Sequence, residues 1–296
     1  MNSLTSAETT AARRLIELAL AEDLNQTGDR TSQATIPADL PGRAAFVARA
    51  AGTIAGLPVV QLVLEAVDRT VRFEPLLADG AAVAAGDRLA TVDGPMRSIL
   101  TAERTALNFL QRLSGVATLT RRYVEAAAAG GRAKVFDTRK TTPGWRLLEK
   151  YAVRQGGGHN HRMGLFDGLL IKDNHLAALG GGPDPIRKAV DAARAHAPGL
   201  PVEVEVDTAE QFAVALACGP DIILLDNMRP DVMRQCLELR DKNAPAVRLE
   251  ASGGVNLQTI AAIAATGVDF ISVGALTHSA AALDIALDYL LADTAR

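Results

Sequence analysis

Cysteine is nearly missing from this chain. Two thiols, Cys218 and Cys236, occur in 296 residues, which excludes a disulfide-stapled framework. Both lie in helix-like apolar surroundings, where packing is the expected role. No apolar run approaches the ~20 residues needed to span a bilayer, so no membrane partner is expected. A large excess of charge of one sign is lacking too. The formal net charge of −3 argues against general nucleic-acid binding. The N-terminal stretch has neither the continuous apolar core nor the small-residue cleavage site of a signal peptide. Leu15, Ile16, Leu18 and Leu20 instead fit an amphipathic helix. A cytoplasmic location follows as the expectation. No GxGxxG opens a helix after the first strand, so a dinucleotide fold lacks its fingerprint. The spacing of His159, His161 and His175 is not HExxH and no cysteine is near, which argues against zinc.

What is present is concentrated between Asp137 and His175. Arg139, Lys140, Arg162, Lys172 and three histidines crowd beside Gly156-Gly157-Gly158. In a slightly acidic protein this is a local enrichment. Glycines let a backbone approach a ligand, and Arg reads carboxylate or phosphate in bidentate fashion. A solvated charged face is the plainer reading. It is disfavoured because the cations adjoin apolar runs such as Gly168-Leu169-Leu170-Ile171-Lys172, where an unpartnered charge is costly.

The pattern changes near Ser114. Before it, strands at 44–50, 71–75 and 87–92 alternate with helices at 57–67 and 99–113, an α+β arrangement. After Lys134, six apolar runs end in polar residues, at 134–137, 168–172, 202–207, 222–226, 247–252 and 270–274. Helices at 185–196, 208–217, 231–239 and 257–265 separate most of the later ones. Such alternation implies parallel βαβ units. An open doubly wound sheet and a barrel both fit. The barrel is preferred because each strand ends in a candidate functional group, where barrel enzymes place their chemistry. The expected division is an N-terminal domain over 1–114 and a barrel over 115–278. Residues 279–296 read as a terminal helix expected to pack back on the first domain.

Taken by strand, the barrel mouth holds Arg139 and Lys140, Lys172, Glu205, Asp226, Ser252-Gly253-Gly254, and Gly274-Ala275. Two small-residue turns on successive late strands suit a phosphate held by backbone N–H groups; an ordinary tight turn is the alternative. Val202, Val204 and Val206 share one face of their strand, and Glu203 and Glu205 the other. Glu205, nearer the mouth, is the functional candidate, and Glu203 can instead pair with a barrel cation. Binding Mg²⁺, holding a sugar hydroxyl and facing developing positive charge are candidate roles. For Asp226, capping the next helix is the competing reading. The cations exceed what one phosphate needs and suit several carboxylates plus a pyrophosphate.

These blocks together resemble the quinolinate phosphoribosyltransferase family, over essentially the full length. The resemblance rests on residues 138–144 (TRKTTPG), 157–162 (GGHNHR), 170–175 (LIKDNH), 203–206 (EVEV), 225–227 (LDN), 250–254 (EASGG) and 272–278 (SVGALTH), with Glu22-Asp23, Gly28-Asp29 and 103–108 (ERTALN) earlier in the chain. It implies an N-terminal α/β sandwich and a C-terminal open, TIM-like α/β barrel of fewer than eight strands. It also implies a reaction: quinolinate and phosphoribosyl pyrophosphate give nicotinate mononucleotide, pyrophosphate and CO₂ in de novo NAD synthesis. Lys140, Glu205 and Asp226 would be catalytic, with Mg²⁺ at Glu205 and Asp226. Arg139, His161, Arg162 and Lys172 would meet the two carboxylates, joined by Arg104 from the neighbour in a homodimer or assembly of dimers with shared sites. Ser252, Gly253, Gly254, Gly274 and Ala275 would hold the 5′-phosphate, and Thr138, Val273 and His278 complete the implied substrate-binding set. Three rivals remain in view. One is a molybdenum-transport-associated relative of the same architecture, opposed by the full set of dicarboxylate-binding cations. Another is a Schiff-base lyase using Lys140 or Lys172. The third is a non-catalytic phosphosugar-binding protein.

Overall fold

Capping chemistry written into the sequence starts the first helix. Thr5 Oγ1 accepts the Glu8 N–H at 3.2 Å, and Glu8 accepts the Thr5 N–H at 2.8 Å, a reciprocal pair that satisfies two orphan donors. A computed structural model describes residues 4–180 and 183–290. Its elements are, in chain order, α1 (Ser6–Leu24), α2 (Arg30–Thr35), β1 (Pro41–Ala48), β2 (Gly52–Thr53), α3 (Leu57–Val67), β3 (Arg72–Pro75), β4 (Ala82–Val83), β5 (Arg88–Pro95) and α4 (Met96–Gly130). Then follow β6 (Lys134–Phe136), α5 (Arg146–Gln155), β7 (Leu169–Ile171), α6 (Asp173–Ala178), α7 (Pro183–His196), β8 (Val202–Val206), α8 (Ala209–Cys218), β9 (Ile222–Asp226) and α9 (Pro230–Asn243). The last are β10 (Arg248–Ser252), α10 (Ile260–Ala264), β11 (Phe270–Ser272), α11 (Ala275–His278) and β12 (Ile285–Tyr289). They fall into two compact units, Met1–Arg121 with Thr141–Gly157 and Leu276–Arg296, and Arg122–Lys140 with Gly158–Ala275. The boundary expected at residue 114 lies inside α4, where Ser114 is fully buried and exchanges hydrogen bonds with the Ala55 backbone.

The first unit is built on a four-stranded antiparallel sheet in the order β12-β1-β5-β3. The expected terminal helix over 279–296 is corrected here: residues 285–289 form a strand, and 291–296 lie outside the described residues. Ala44 pairs with Tyr289 and Ala48 with Ile285. Without β12 the edge of the apolar strand β1 would be unpaired, and an open edge of this kind is a liability. The alternation of buried Ile285 and Leu287 with Ala286 and Asp288 is the strand period of two. Helix α3 starts at Gly56, where Asp79 accepts the Gly56 and Leu57 N–H groups at 2.6 and 3.1 Å and the Tyr151 hydroxyl at 2.6 Å. A carboxylate at a helix N-terminus satisfies donors that the helix itself leaves free.

The second unit is a six-stranded parallel sheet in the order β6-β11-β10-β9-β8-β7, formed by the six runs marked in the sequence. The strand number is therefore below eight. Among the described residues no pairing joins β6 to β7, so the barrel is open at that seam. The segment after Gly158 lies along the free edge of β6. His159 N–H donates to Val135 O at 2.8 Å, and Asp137 N–H donates to His159 O at 3.0 Å. Val202, Val204 and Val206 are at most 1 % exposed, which turns the alternate Glu203 and Glu205 to the other face of the strand.

At the N-terminal ends of the strands, Asp269 organises a small network. Its carboxylate accepts the Leu249 N–H at 2.9 Å, Arg240 at 3.0 Å and Arg248 at 2.9 Å. Burial alone would raise its pKa; these donors outweigh burial and lower it. A lowered carboxyl contributes stability above its unfolded pKa and loses it as pH falls through the folded value. Asp269→Asn should therefore lower unfolding free energy by about 1.5–3 kcal/mol at pH 7. In urea melts the gap from wild type should narrow below a pH of about 4; a gap independent of pH would refute this account.

Candidate active site

The carboxyl ends of β7, β8 and β9 bring three ionised groups together. Lys172 follows β7, and its Nζ lies 2.7 Å from Glu205 Oε2 on β8. Asp226 closes β9 and accepts a hydrogen bond from Asn227 Nδ2 at 2.8 Å. It does not cap the next helix, because α9 begins at Pro230 with Arg229 in the N-cap position. Asp173, Glu205, Asp207 and Asp226 share the lining of one cavity of about 230 Å³ with Gln211 and apolar residues. Oxygen donors of this kind suit a hard cation such as Mg²⁺.

The turn after β10 owes its glycines to a neighbour. Asn227 has a left-handed backbone (φ 52°) and donates its N–H to Ser252 O at 2.9 Å. That brings its side chain onto Gly253, where an added Cβ would sit 2.3 Å from Asn227 Oδ1. Gly253 itself has φ +84°, so both space and conformation demand glycine. Beside it, the Val273 N–H after β11 donates to Phe136 O at 2.9 Å, leading into the half-buried Gly274 and Ala275.

The segment along β6 is fixed by a fully buried acid. Asp137 accepts Asn160 Nδ2 at 2.6 Å and the His161 N–H at 2.9 Å. Arg162 follows, donating Nη1 to Gly168 O at 3.0 Å. Burial and the positive charge of Arg139 depress the Arg162 pKa, against the pull of Glu203 and Asp167. Two guanidiniums close enough to repel make a place where an anion is welcome.

His161 reaches the interior. Its Nε2 lies 3.1 Å from Glu203 Oε2 and 3.4 Å from Glu250 Oε2, both glutamates being buried. Burial would lower the imidazole pKa, but the two carboxylates outweigh it and push it up to about 10. The other nitrogen opposes the charged form, since Nδ1 accepts the Arg162 backbone N–H at 2.9 Å. A proton on Nδ1 would point at that N–H, so the backbone donor is the harder constraint and the ring keeps its proton on Nε2. Burial and the neighbouring Glu250 in turn push the Glu203 carboxyl up, as expected where two acids share one donor.

The second unit thus carries Thr138, Arg139, Lys140, His161, Arg162, Lys172, Glu205, Asp226 and the two small-residue turns. Thr138 Oγ1 accepts the Lys140 N–H at 3.0 Å. Arg104 and His278 belong to the first unit. Arg104 is exposed on α4, whose Ala106, Leu107 and Leu110 are buried. His278 is exposed at the end of α11, its Nδ1 2.6 Å from Ser279 Oγ. His175 accepts the Lys172 N–H and so serves the first turn of α6. Glu203 pairs with the His161 ring. Glu250, Asp137 and Asn227 were missed as site residues. The alternation that singled out Glu203 and Glu205 applies equally to Arg248, Glu250 and Ser252, and would have found Glu250.

Crowded cations, acids at strand ends and small-residue turns on late strands define an α/β-barrel enzyme that handles anions. Comparison with known proteins narrows this. The family model for the C-terminal domain of quinolinate phosphoribosyl transferase matches residues 116–288, and that for the N-terminal domain matches 29–114. A nicotinate-nucleotide pyrophosphorylase [carboxylating] of Mycobacterium leprae is 49 % identical over 287 residues, covering 96 % of this chain and 99 % of the relative. A probable one of Bacillus subtilis is 42 % identical, covering 95 % and 94 %. The solved nicotinate-nucleotide pyrophosphorylase of Francisella tularensis superposes with a TM-score of 0.90 at 40 % identity, over 98 % of each chain. The chain belongs to the quinolinate phosphoribosyltransferase family.

Proposed function

We propose that this enzyme transfers the phosphoribosyl group of phosphoribosyl pyrophosphate to quinolinate with decarboxylation, giving nicotinate mononucleotide, pyrophosphate and CO₂ in de novo NAD synthesis. The observation that carries the reading is the crowding of Arg139 and Arg162, whose mutual repulsion a dicarboxylate would relieve. Lys172 neutralises Glu205 across 2.7 Å. A substrate carboxylate that draws Lys172 away leaves Glu205 facing the ribosyl carbon, where positive charge develops in the transition state. Asp226 supports the same centre from β9, and the turns at Ser252-Gly253-Gly254 and Val273-Gly274-Ala275 receive the 5′-phosphate on backbone N–H groups. Glu205 and Asp226 would hold Mg²⁺, which neutralises charge on the leaving pyrophosphate. Lys140, exposed beside Thr138, serves the pyrophosphate end. Loss of CO₂ follows once the ring nitrogen is cationic and needs no further cofactor.

The reading extends to assembly and location. The catalytic unit is a homodimer or an assembly of dimers in which Arg104 of one subunit completes the site of the other. Its exposure on α4, away from the buried Leu107 and Leu110, supports this, since two-fold partners can each finish the other's site. Among the described residues no helix is long and apolar enough to cross a membrane, in keeping with a cytoplasmic enzyme.

The direct test is release of CO₂ and pyrophosphate from quinolinate plus phosphoribosyl pyrophosphate, with nicotinate as the control. Quinolinate should be strongly preferred, because a missing carboxylate leaves paired cations without a partner; comparable turnover with nicotinate would refute the reading. Glu205→Ala and Asp226→Ala should each lower kcat by about 100-fold while changing the quinolinate KM far less. An unchanged kcat with a raised KM would reassign them to ground-state binding. For the shared site, Arg104→Ala and Lys140→Ala should each be nearly inactive alone. Mixed dimers regain part of the activity if Arg104 acts in trans, because one site then carries neither lesion. No recovery despite demonstrated subunit exchange would place Arg104 in its own subunit's site.

A further inference from the structure

Below the mouth, the barrel interior holds two glutamates, Glu203 and Glu250, to which the reaction above assigns no direct part. Glu203 lies opposite Ile222, and Glu205 opposite Leu224. Glu203 is therefore two residues deeper along β8, about 6.6 Å further from the strand end. Glu203 is 4 % exposed and Glu250 is 1 % exposed. With His161 they line a chamber of about 250 Å³ walled by Phe136, Ile222 and Phe270 and reaching Arg162. Each glutamate uses its Oε2 on the His161 ring, and the Oε1 of each is buried with no hydrogen-bond partner. Two buried acids on one ring nitrogen are costly to assemble, so an arrangement that serves packing alone would be better made from apolar residues.

The ligand atoms of His161, Glu203 and Glu250 lie within 4.8 Å of one another, a spacing that would admit a metal ion. The ring argues against one. Nδ1 accepts the Arg162 N–H, so Nε2 keeps the proton and aims it between the carboxylates. A metal on Nε2 would force that proton onto Nδ1, against the backbone donor. The remaining consequence is mechanical and electrostatic. The glutamates hold the ring from inside, and the ring holds the Arg162 backbone.

We propose that Glu203 and Glu250 are positioning residues for the pyridine dicarboxylate: through His161 they set the place of Arg162, the cation that meets the substrate, without touching the substrate themselves. This rests on the functional reading above for the identity of the substrate. It separates the two substrates, because the clamp acts through the His161 ring on the Arg162 backbone.

The experiment uses Glu203→Gln and Glu250→Gln in the full-length protein, each keeping the shape and an acceptor oxygen while removing the charge. Quinolinate KM should rise about 10-fold or more, the weight of a charge-assisted hydrogen bond, with the KM for phosphoribosyl pyrophosphate within about twofold of wild type. Nitrogen-15 spectra of the labelled histidine rings should show the His161 Nε2–H signal shifted from its wild-type position in both variants, with Nδ1 still unprotonated against the Arg162 N–H. Equal changes in both KM values, or an unchanged quinolinate KM in a folded variant, would overturn the proposal. If one variant does not fold, the other is read by the same criteria; if neither folds, the acids serve the fold and the proposal is overturned. If the wild-type protein releases no CO₂ from quinolinate, the functional reading fails separately. The clamp is then judged on the ring signal, and a signal unmoved in both variants sinks it.

Discussion

Charge turned into the interior of a parallel barrel has to be met there, and this requirement shapes the second unit. Glu205 is met by Lys172 at 2.7 Å, and Glu203 and Glu250 by His161 at 3.1 and 3.4 Å. A core of this size could be filled with aliphatic side chains at lower electrostatic cost. The carboxylates instead find local partners, the Lys172 ammonium for Glu205 and a shared ring N–H for Glu203 and Glu250. The positive charge of Arg139 acts on Arg162 and, with burial, lowers its pKa.

The open seam between β6 and β7 is what lets these partners enter. A fully closed barrel would leave no edge for the segment after Gly158. Here His159 exchanges hydrogen bonds with the free edge of β6, and the buried Asp137 anchors Asn160 and His161. The ring of His161 then drops into the interior while Arg162 continues along the rim to Gly168. Four consecutive residues, His159 to Arg162, thus serve in turn as backbone pairing, anchored amide, interior base and rim cation. Few replacements satisfy all of these constraints at once.

In the first unit a comparable economy ties the end of the chain to the long helix. Arg112 on α4 donates to Thr277 O, to Ala280 O and to the fully buried Glu149, 2.6 Å away. Gly115, one turn on, lies so close to the Ala281 carbonyl that a Cβ would stand 2.1 Å from it. The returning chain is seated by these contacts and delivers β12 to the edge of β1. Cys218 and Cys236 have no comparable role. Burial raises both thiols, Cys236 to about 11, which favours the protonated form.

The sequence by itself determined the two kinds of architecture, the strand–helix repeat of the second, and the side of β8 that carries acids, while the strand number came from the pairing. These rest on local periodicity, which a strand or helix cannot hide. It also placed the candidate residues, since Arg139, Arg162, Lys172, Glu205 and Asp226 all fall at strand ends or on the segment lying along β6. Tertiary structure alone decided the rest. Residues 285–289 have a pattern open to either period, and the unpaired edge of β1 selected the strand. Asp226 precedes a helix, and the later start of α9 at Pro230 removed it from capping. Glu250 joined Glu203 on one ring nitrogen because β8 and β10, which start at Val202 and Arg248, curl around a common interior. Sequence separation says nothing about that curvature: it arises from twist and packing summed over the whole sheet.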